Sequence, residues 1–174
     1  MAKRRLSRPT PRPKLTRPQR AIYNAGRTPG ARFRTAVCGR SFGKTFLVPE
    51  EIRRAARLAV QRNIPTDSEI WYAAPNFKQA KRVFWRRLKK SIPAGWLASK
   101  PNETDCSIVL ASGHVIRLVG LDNYDALRGS GLWFVVVEEW ADYPYAAWTE
   151  TLFPMLSAMQ GHALMIGTPK GFDH

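Results

Sequence analysis

The chain has 174 residues, two cysteines and a formal net charge of +15, and its length suits about one domain. Its 44% hydrophobic content is normal for a globular core. The longest apolar run, residues 132–137, is too short to span a bilayer, and the basic N-terminus lacks the apolar segment of a signal peptide. We expect Cys38 and Cys106 to be buried free thiols, with a disulfide as the alternative.

Charge is distributed unevenly along the chain. Residues 1–90 carry 24 Lys/Arg and 4 Asp/Glu, a net of +20, whereas residues 91–174 carry 4 and 9, a net of −5. This asymmetry indicates a polyanionic partner, and nucleic acid fits best. Residues 1–18 are rich in Arg, Lys and Pro without apolar periodicity, so we predict a flexible basic arm before a single domain, residues 19–174.

The predicted elements alternate between helix and strand. A short helix over residues 17–25, with Pro18 in its first turn, precedes a strand over 34–39 and a helix over 46–63 with Pro49 near its start. Residues 68–75 read as a buried strand, 105–112 and 114–121 as a hairpin around Ser112-Gly113, and 132–139 and 162–169 as apolar strands. This pattern predicts an α/β fold, a mostly parallel sheet covered by helices on both faces.

Residues 76–92 form the clearest amphipathic helix, with Asn76 as its N-cap candidate. Its predicted apolar face consists of Phe77, Ala80, Phe84, Leu88 and Ile92, widened by Val83 and Trp85. The helix also carries seven Lys/Arg and no acid. Its polar surface is therefore a candidate contact for DNA or an adjacent subunit, or an ordinary solvated face.

The stretch "AVCGRSFGKTFL" ends in Gly-Lys-Thr, as a phosphate-binding loop does. The usual loop would place its first glycine at position 38, but this chain has Cys38 there and Gly39 one place later. A strand before and a helix after supply the required context, since backbone N–H groups and the helix N-terminus hold phosphates. We therefore predict a phosphate site from Gly39, Arg40, Ser41, Phe42, Gly43, Lys44 and Thr45. The alternative is a strand–helix turn with an exposed lysine.

A second chemical signal is the apolar strand that runs into Glu138 and Glu139. Beside a phosphate loop, Glu138 would face Mg²⁺ and its waters, with Thr45 as a second metal contact. Glu139 would orient or deprotonate the attacking water. The alternative is that two glutamates end a buried strand at the surface.

Several motifs together resemble large terminase subunits, the DNA-packaging motors of tailed bacteriophages. "NYDALRGSGLWFVVVEEWAD" resembles their segment through the acidic strand end, "GRSFGKT" their phosphate loop, and "YAAPNFKQAKRVFWRRLKK" the strand–helix unit between them. "LMIGTPKGFDH" resembles their coupling motif and "LTRPQRAI" their N-terminal adenine-contacting segment. The matches span Leu15 to His174 in the family's order. They imply a P-loop NTPase fold of the ASCE/RecA-like kind.

The resemblance also implies roles for individual residues. Gln19 matches the adenine-contacting glutamine, and Gly167, Thr168 and Pro169 are the centre of the coupling motif. Arg128 matches an arginine that reaches a neighbouring subunit's ATP, and Arg40 is the competing candidate, acting within its own site. The alternative for Arg128 is a salt bridge with Asp122 or Asp125. The implied cofactors are ATP and Mg²⁺.

The implied activity is ATP hydrolysis that drives duplex DNA into a procapsid. The implied partners are double-stranded DNA, further copies in a ring, a portal protein and a small terminase subunit, with no membrane. The implied location is the cytoplasm of an infected bacterium, transiently on the procapsid. Two departures stand out: Glu138-Glu139 replaces the family's Asp-Glu, and the sequence stops after the coupling motif. We therefore expect a sheet that is incomplete at the C-terminus and no nuclease domain.

Two other functions stay open at this point. One is a helicase-like or other DNA-stimulated P-loop ATPase. The other is a basic module that binds nucleotide and DNA without turnover.

Overall fold

A computed structural model of the chain describes residues 14–169. Six strands form one sheet in the order β1-β6-β5-β2-β4-β3. Only the β3-β4 hairpin is antiparallel among the paired strands described. The strands are β1 Phe33–Val37, β2 Ser68–Ala74, β3 Ser107–Val109, β4 Val115–Gly120, β5 Gly131–Glu138 and β6 His162–Gly167. The predicted α/β fold with a mostly parallel sheet is confirmed.

Helices cover both faces of this sheet. The first face carries α1 Arg17–Ala25, α2 Lys44–Gln61 and α3, residues 77–91, which consists of Phe77–Ala80, a π-helical segment Lys81–Trp85 and Arg86–Ser91. The second face carries the 3-10 segment Leu121–Leu127 and α4, residues 147–158, which joins the π-helical Ala147–Leu152 to Phe153–Ala158. Two shorter 3-10 segments are Ala94–Trp96 and Trp140–Asp142.

Alternating side chains of the central strands supply the two cores. In β2, Ile70 and Tyr72 pack on the first face, while Trp71 and Ala73 pack on the second, as the two-residue period of a strand requires. The ring of Tyr72 stacks on Phe84 of α3, with centroids 4.0 Å apart. Burying a large side chain of this kind contributes roughly 1.5–3 kcal/mol, so α3 is fixed to the sheet by its apolar face.

The helix starts agree with the sequence signals. Thr16 caps α1 in a capping box with Gln19, and the Asn76 side chain accepts from the backbone N–H of Gln79 at 3.1 Å. Of the predicted basic arm, residues 1–13 lie outside the described residues. Arg17 and Pro18, at the end of that arm, already belong to α1.

Two local predictions were wrong. Val83 is 56% exposed, whereas Trp85 on the other side of Phe84 is buried and donates its indole N–H to Glu103 at 2.7 Å. The loop that carries Glu103 covers Trp85. Pro49 lies in the second turn of α2, because that helix begins at Lys44. The two cysteines are buried and free, as expected.

No helix in the described part of the chain is long and apolar enough to cross a membrane.

Candidate nucleotide site

The polar residues singled out in the sequence meet at the carboxyl edge of the sheet. Strand β6 lies between β1 and β5, and all three strands run parallel. The segments that follow them therefore emerge side by side, which is where open α/β sheets place ligand sites. Lys44 follows β1, Glu138 and Glu139 end β5, and Thr168 follows β6.

The loop before α2 is shaped by left-handed backbone at two residues. Gly43 has φ 83° and ψ 35° and caps α2, and Ser41 has φ 64°. The positive φ favours glycine there, and a Cβ on Gly43 would also lie 2.6 Å from Nε2 of Gln19, so that the amide would have to shift. A Cβ on Gly39 would meet nothing within 4 Å. Packing in this structure therefore does not require glycine at position 39. The tight turn of the loop lies later, at Ser41 and Gly43.

The Lys44 ammonium joins the three segments. It donates to Oε1 of Glu139 and, at 2.6 Å, to Oγ1 of Thr168. The Glu139 carboxylate also accepts from the backbone N–H of Thr168 at 2.9 Å and from its hydroxyl at 3.2 Å. Glu139 adopts left-handed backbone, φ 50° and ψ 50°, a conformation that costs roughly 1–2 kcal/mol. These contacts hold it there.

The two adjacent glutamates have opposite protonation tendencies. Burial raises the pKa of Glu138, with Lys44 only partly offsetting it. Burial also acts to raise the pKa of Glu139, but the hydrogen bonds from Lys44 and Thr168 outweigh it, and the net shift is downward. Glu139 is therefore stabilised in its charged form. At Glu138, the nearby positive charge of Lys44 does not outweigh the effect of burial, so the neutral form is favoured.

Gln19 contacts the loop through its side-chain amide. Nε2 donates to the carbonyls of Phe42 at 2.9 Å and Gly43 at 3.2 Å, while Oε1 accepts from the backbone N–H of Thr16 at 3.0 Å. The residue is buried. Gln19 thus couples the start of α1 to the phosphate loop, a contact that its polar character alone did not reveal.

The two candidate arginines differ in their surroundings. Arg40 is exposed within the loop. Arg128 pairs with Asp125 at 2.8 Å and Glu150 at 3.3 Å and donates from Nε to Oγ1 of Thr151 at 3.4 Å. The salt bridge to Asp125 was the alternative foreseen in the sequence. The one to Glu150 was not, because 22 residues separate the partners.

Asp122, the other predicted partner of Arg128, accepts instead from the Asn76 side chain at 3.1 Å.

The residues predicted for the coupling motif lie beside Lys44 and Glu139. Gly167 ends β6, and a Cβ there would lie 3.1 Å from the Trp140 ring. Thr168 contacts Lys44 and Glu139 as described, and Pro169 is the last residue described.

The chain is similar in sequence and in fold to the large terminase subunits of phages. The large terminase subunit of Escherichia phage T5 is 30% identical over 157 residues, which cover 88% of this chain and 34% of that protein. That of Thermus virus P23-45 is 29% identical over 162 residues, 82% of this chain and 32% of the relative. The ATPase domain of the Thermus phage P74-26 large terminase superposes with a TM-score of 0.69 at 26% identity, covering 92% of this chain and 67% of that chain.

This chain belongs to the large terminase subunits of phages, as a counterpart of their ATPase domain. The HK97 large terminase shares the fold at 13% identity, with a TM-score of 0.67 and coverage of 89% of this chain and 33% of that one. No protein-family model matches. The chain spans about a third of the length of the curated terminases that it matches.

The donor chemistry at the site is of the kind that a nucleotide-bound Mg²⁺ would use. Among the described residues, no three His, Cys, Asp or Glu side chains cluster as a metal site. Mg²⁺ commonly needs only one or two protein oxygens because phosphates and water supply the others. The half-buried carboxyl group of Glu138 and the Thr45 hydroxyl in the first turn of α2 would supply such oxygens.

Proposed function

We propose that this chain is the ATP-hydrolysing module of a viral DNA-packaging terminase, which binds ATP·Mg²⁺ at the carboxyl edge of the sheet and uses hydrolysis to translocate duplex DNA into a procapsid. The observation that supports this most is the meeting of Lys44, Glu139 and Thr168 at the start of α2. The family gives these three positions a phosphate-binding, a catalytic and a coupling role.

Binding of nucleotide exchanges the partners of Lys44. The β- and γ-phosphates occupy the N-terminus of α2, where backbone N–H groups of residues 39–45 and the helix dipole favour anions. Lys44 then turns from Glu139 to the phosphates. This exchange costs little, because a partly exposed ion pair contributes only about 0–1 kcal/mol.

Release from Lys44 leaves the Glu139 carboxylate free to hold the attacking water and accept its proton. Glu138 and Thr45 would hold Mg²⁺, which supplies charge neutralisation at the phosphates when bound. Thr168 loses its lysine contact in the same exchange, so the end of β6 responds to the γ-phosphate. This links Gly167, Thr168 and Pro169 to the nucleotide state.

An arginine stabilises the charge that develops on the γ-phosphate, an effect that can be worth about 10³–10⁵ in rate. Arg128, half-exposed on the surface, suits a contact to a neighbouring copy's ATP. Arg40, exposed in the loop, is the candidate within the same site. Gln19 holds the phosphate loop through its bonds to the Phe42 and Gly43 carbonyls. By the family resemblance, it would also contact the adenine of ATP.

The partners proposed for the motor follow the family: duplex DNA, a ring of identical copies, a portal protein and a small terminase subunit. The site of action is the cytoplasm of an infected bacterium and the procapsid. The strong positive charge of residues 1–90 supports the DNA contact.

A Lys44→Ala substitution tests the site. We expect phosphate release to fall about 10²–10³-fold or more, with ATP affinity reduced, while a matched Lys100→Ala variant on an exposed loop behaves like the wild type. Hydrolysis by Lys44→Ala at the wild-type rate would overturn the proposal. Phosphate release is measured with and without duplex DNA.

Two outcomes separate the alternatives. ATP binding without any turnover, even with DNA present, would favour a non-enzymatic binding module. Unwinding of a tailed duplex would favour a helicase-like ATPase. DNA affinity that falls steeply with salt concentration would support contacts to phosphates.

A further inference from the structure

Positive charge collects at the edge of the sheet opposite to the nucleotide site, where β1, β5 and β6 begin. The later turns of α2 pack on β5 there, and the Trp133 indole N–H donates to the Ala55 carbonyl at 3.3 Å. A cavity of about 40 Å³ lies between α2, the start of β6 and the loop that follows α1. Its charged lining consists of Arg34, Arg54, Arg62 and His162. Lys44 and Arg54 are ten residues apart on α2, or about 15 Å along the helix axis, so the cavity is separate from the phosphate loop.

The cavity has more cations than carboxylates. Within residues 14–169, Glu51 is the one acid that pairs with its arginines, accepting from Arg34 at 3.0 and 2.9 Å and also from Arg54. The Arg62 guanidinium lies over the Trp133 ring, 5.9 Å from its centroid, and no carboxylate of the described residues pairs with it. Three arginines and one glutamate leave an excess of two positive charges, even with the histidine neutral. Charge held away from water in this way favours a bound counter-ion.

The protonation equilibria at the cavity reflect this excess. Burial lowers the pKa of Arg54, and the positive charge of Arg34 adds to that effect while Glu51 opposes it. Burial also lowers the pKa of His162, and neighbouring cations add to the effect while a hydrogen bond to backbone opposes it. Those cations are Arg62, Arg32 and Arg34. A bound anion would stabilise the charged form of both groups.

Unused hydrogen-bond donors accompany the unbalanced charge. The described contacts of Arg34 use three of its five N–H groups, and those of Arg54 use two. Gly26 closely covers both guanidinium groups, because a Cβ there would lie 2.1 Å from Nη2 of Arg54 and 2.7 Å from Cζ of Arg34. Arg54 and Trp133 are buried whereas Arg62 is exposed. The cavity therefore runs from the interior to solvent beside Arg62.

We propose that this cavity binds a phosphate dianion. Its ligands are the guanidinium groups of Arg34, Arg54 and Arg62, with His162 as a fourth contact. Two negative charges balance the excess, and planar guanidinium groups match the oxygens of phosphate in pairs. The anion uses the donors that Glu51 leaves free and does not replace that carboxylate. The site goes beyond the proposed function and does not depend on it, because it lies at the other edge of the sheet.

The size of the cavity selects the phosphate group itself. A water molecule needs about 10–15 Å³, so the cavity holds roughly three water-sized groups, enough for a tetrahedral anion but not for a nucleoside. The same dianion is available as free inorganic phosphate or as the terminal phosphate of a nucleic acid strand. A phosphodiester within a strand carries one negative charge and would leave half of the excess unbalanced.

Calorimetric titration with inorganic phosphate tests the site in the full chain, at about pH 8, where phosphate is mostly a dianion. Arg62→Gln removes the exposed ligand, and Arg86→Gln on α3, also exposed, is the control with the same change of charge. We expect phosphate to bind about tenfold or more weakly in Arg62→Gln and with wild-type affinity in Arg86→Gln. No phosphate binding to the wild type, or equal affinities in the two variants, would overturn the site.

A Lys44→Ala variant separates the cavity from the phosphate loop, which binds the same anion in the proposed function. Phosphate binding at the cavity should persist in Lys44→Ala and weaken when Arg62→Gln is added to it. Phosphate binding that is lost in Lys44→Ala and unaffected by Arg62→Gln would assign the anion to the phosphate loop and overturn the proposal.

Protonation of His162 gives a readout that damage to the fold would not reproduce. Sulfate keeps two charges near neutral pH, so a change in its affinity with pH reports on the protein. In the Lys44→Ala background, sulfate should raise the pKa of His162, measured by NMR, and should bind more tightly as the pH falls from about 8 to 6. His162→Gln should remove that pH dependence. An unshifted pKa, or the same pH dependence in His162→Gln, would exclude a dianion beside His162 and overturn the site.

Two oligonucleotides of one sequence, with a 5′-phosphate or a 5′-hydroxyl, distinguish the sources of the dianion. A preference of about tenfold for the phosphorylated strand, lost in Arg62→Gln, would assign the cavity to strand ends. Equal affinities for the strands, with inorganic phosphate still bound in an Arg62-dependent way, would assign it to the free ion. Equal affinities without any binding of inorganic phosphate would overturn the site for both sources.

Discussion

Two groups of ion pairs, one beneath the helices of the first face and one at the carboxyl edge of the sheet, differ in how their charges are held. In what we call the buried cluster, Glu51 is fully buried and accepts from Arg34 at 3.0 and 2.9 Å and also from Arg54. Arg34 and Arg54 further donate to carbonyls of α1. At the nucleotide site, Lys44 has two partners in an open, half-buried loop.

This difference separates permanent charges from exchangeable ones. The buried cluster joins β1, α1 and α2 with partners that nothing from solvent can replace, so loss of one charge strands the others. The Lys44 partners come from two separate strand ends, and phosphate oxygens can replace them. The same pairing of lysine or arginine with glutamate therefore supports the fold in one place and, in the function that we propose, a reaction in the other.

The largest effect is expected from Glu51→Ala, which leaves the buried Arg54 and the partly buried Arg34 without their carboxylate. Breaking a buried pair in this way costs about 3–5 kcal/mol, a large part of a typical domain stability of about 5–15 kcal/mol. Urea unfolding measures the free energy of unfolding. Asp67→Ala, an exposed acid, is the control and should change it by less than about 1 kcal/mol. Equal losses in the two variants would remove the distinction between the groups.

Glu139→Gln should separate rate from stability at the nucleotide site. Loss of the carboxylate that we propose as the acceptor of the water's proton is expected to lower phosphate release about 10²–10⁴-fold. The free energy of unfolding should change by less than about 1 kcal/mol, because the pair with Lys44 is partly exposed. Glu103→Gln, in an exposed pair with Lys89, serves as the control for turnover. A wild-type rate in Glu139→Gln would assign the water-activating role elsewhere.

The sequence predicted the fold and the residues at the carboxyl edge because both depend on local patterns. Pro18 indicates where α1 lies, and an apolar run indicates where β2 begins. Because β1, β5 and β6 are parallel neighbours, the segments that follow them bring Lys44, Glu139 and Thr168 together. The buried cluster was missed since "EEIRRAAR" in α2 has the composition of a solvated helix. Those charges are held by contacts of α2 with α1 and β1, which are distant in sequence.

Contacts between distant segments were also beyond prediction. Glu150 reaches Arg128 only because α4 packs beside the Leu121–Leu127 segment. Val83 and Trp85 lie on either side of the buried Phe84 in the sequence. The loop that carries Glu103 contacts Trp85, so Trp85 is buried while Val83 stays exposed. The roles of the individual site residues stay predictions.

A smaller effect is expected from Gln19→Ala, which tests whether a structural contact reaches the nucleotide. Loss of the bond from the Thr16 backbone N–H to the Gln19 side chain should lower the free energy of unfolding by about 0.5–1.5 kcal/mol. Loss of the bonds to the Phe42 and Gly43 carbonyls should also weaken ATP binding, because those bonds shape the loop. Thr16→Ala is the matched control: it removes the cap but keeps the loop contacts. Equal ATP affinities in the two variants would confine Gln19 to the helix start.

The smallest effect concerns stability in the absence of nucleotide, where Glu138 and Glu139 should behave oppositely. Burial raises the folded-state pKa of Glu138 above its unfolded value, so its ionised form destabilises the fold as pH rises through that range. Glu138→Gln should therefore raise the melting temperature at pH 7, and the gain should vanish below about pH 4, where the carboxyl is protonated in both states.

Glu139→Gln provides the opposite sign. The folded-state pKa of Glu139 is depressed, so its charge contributes stability above the unfolded pKa that is lost as pH falls through the folded one. The substitution should lower the melting temperature slightly at pH 7 and have less effect as the pH approaches 4 and falls below it. Melting curves of both variants across pH 3–8 test the pair. Shifts of the same sign would show that Lys44 does not distinguish between the two carboxylates, and the exchange of partners proposed for nucleotide binding would lose its electrostatic basis.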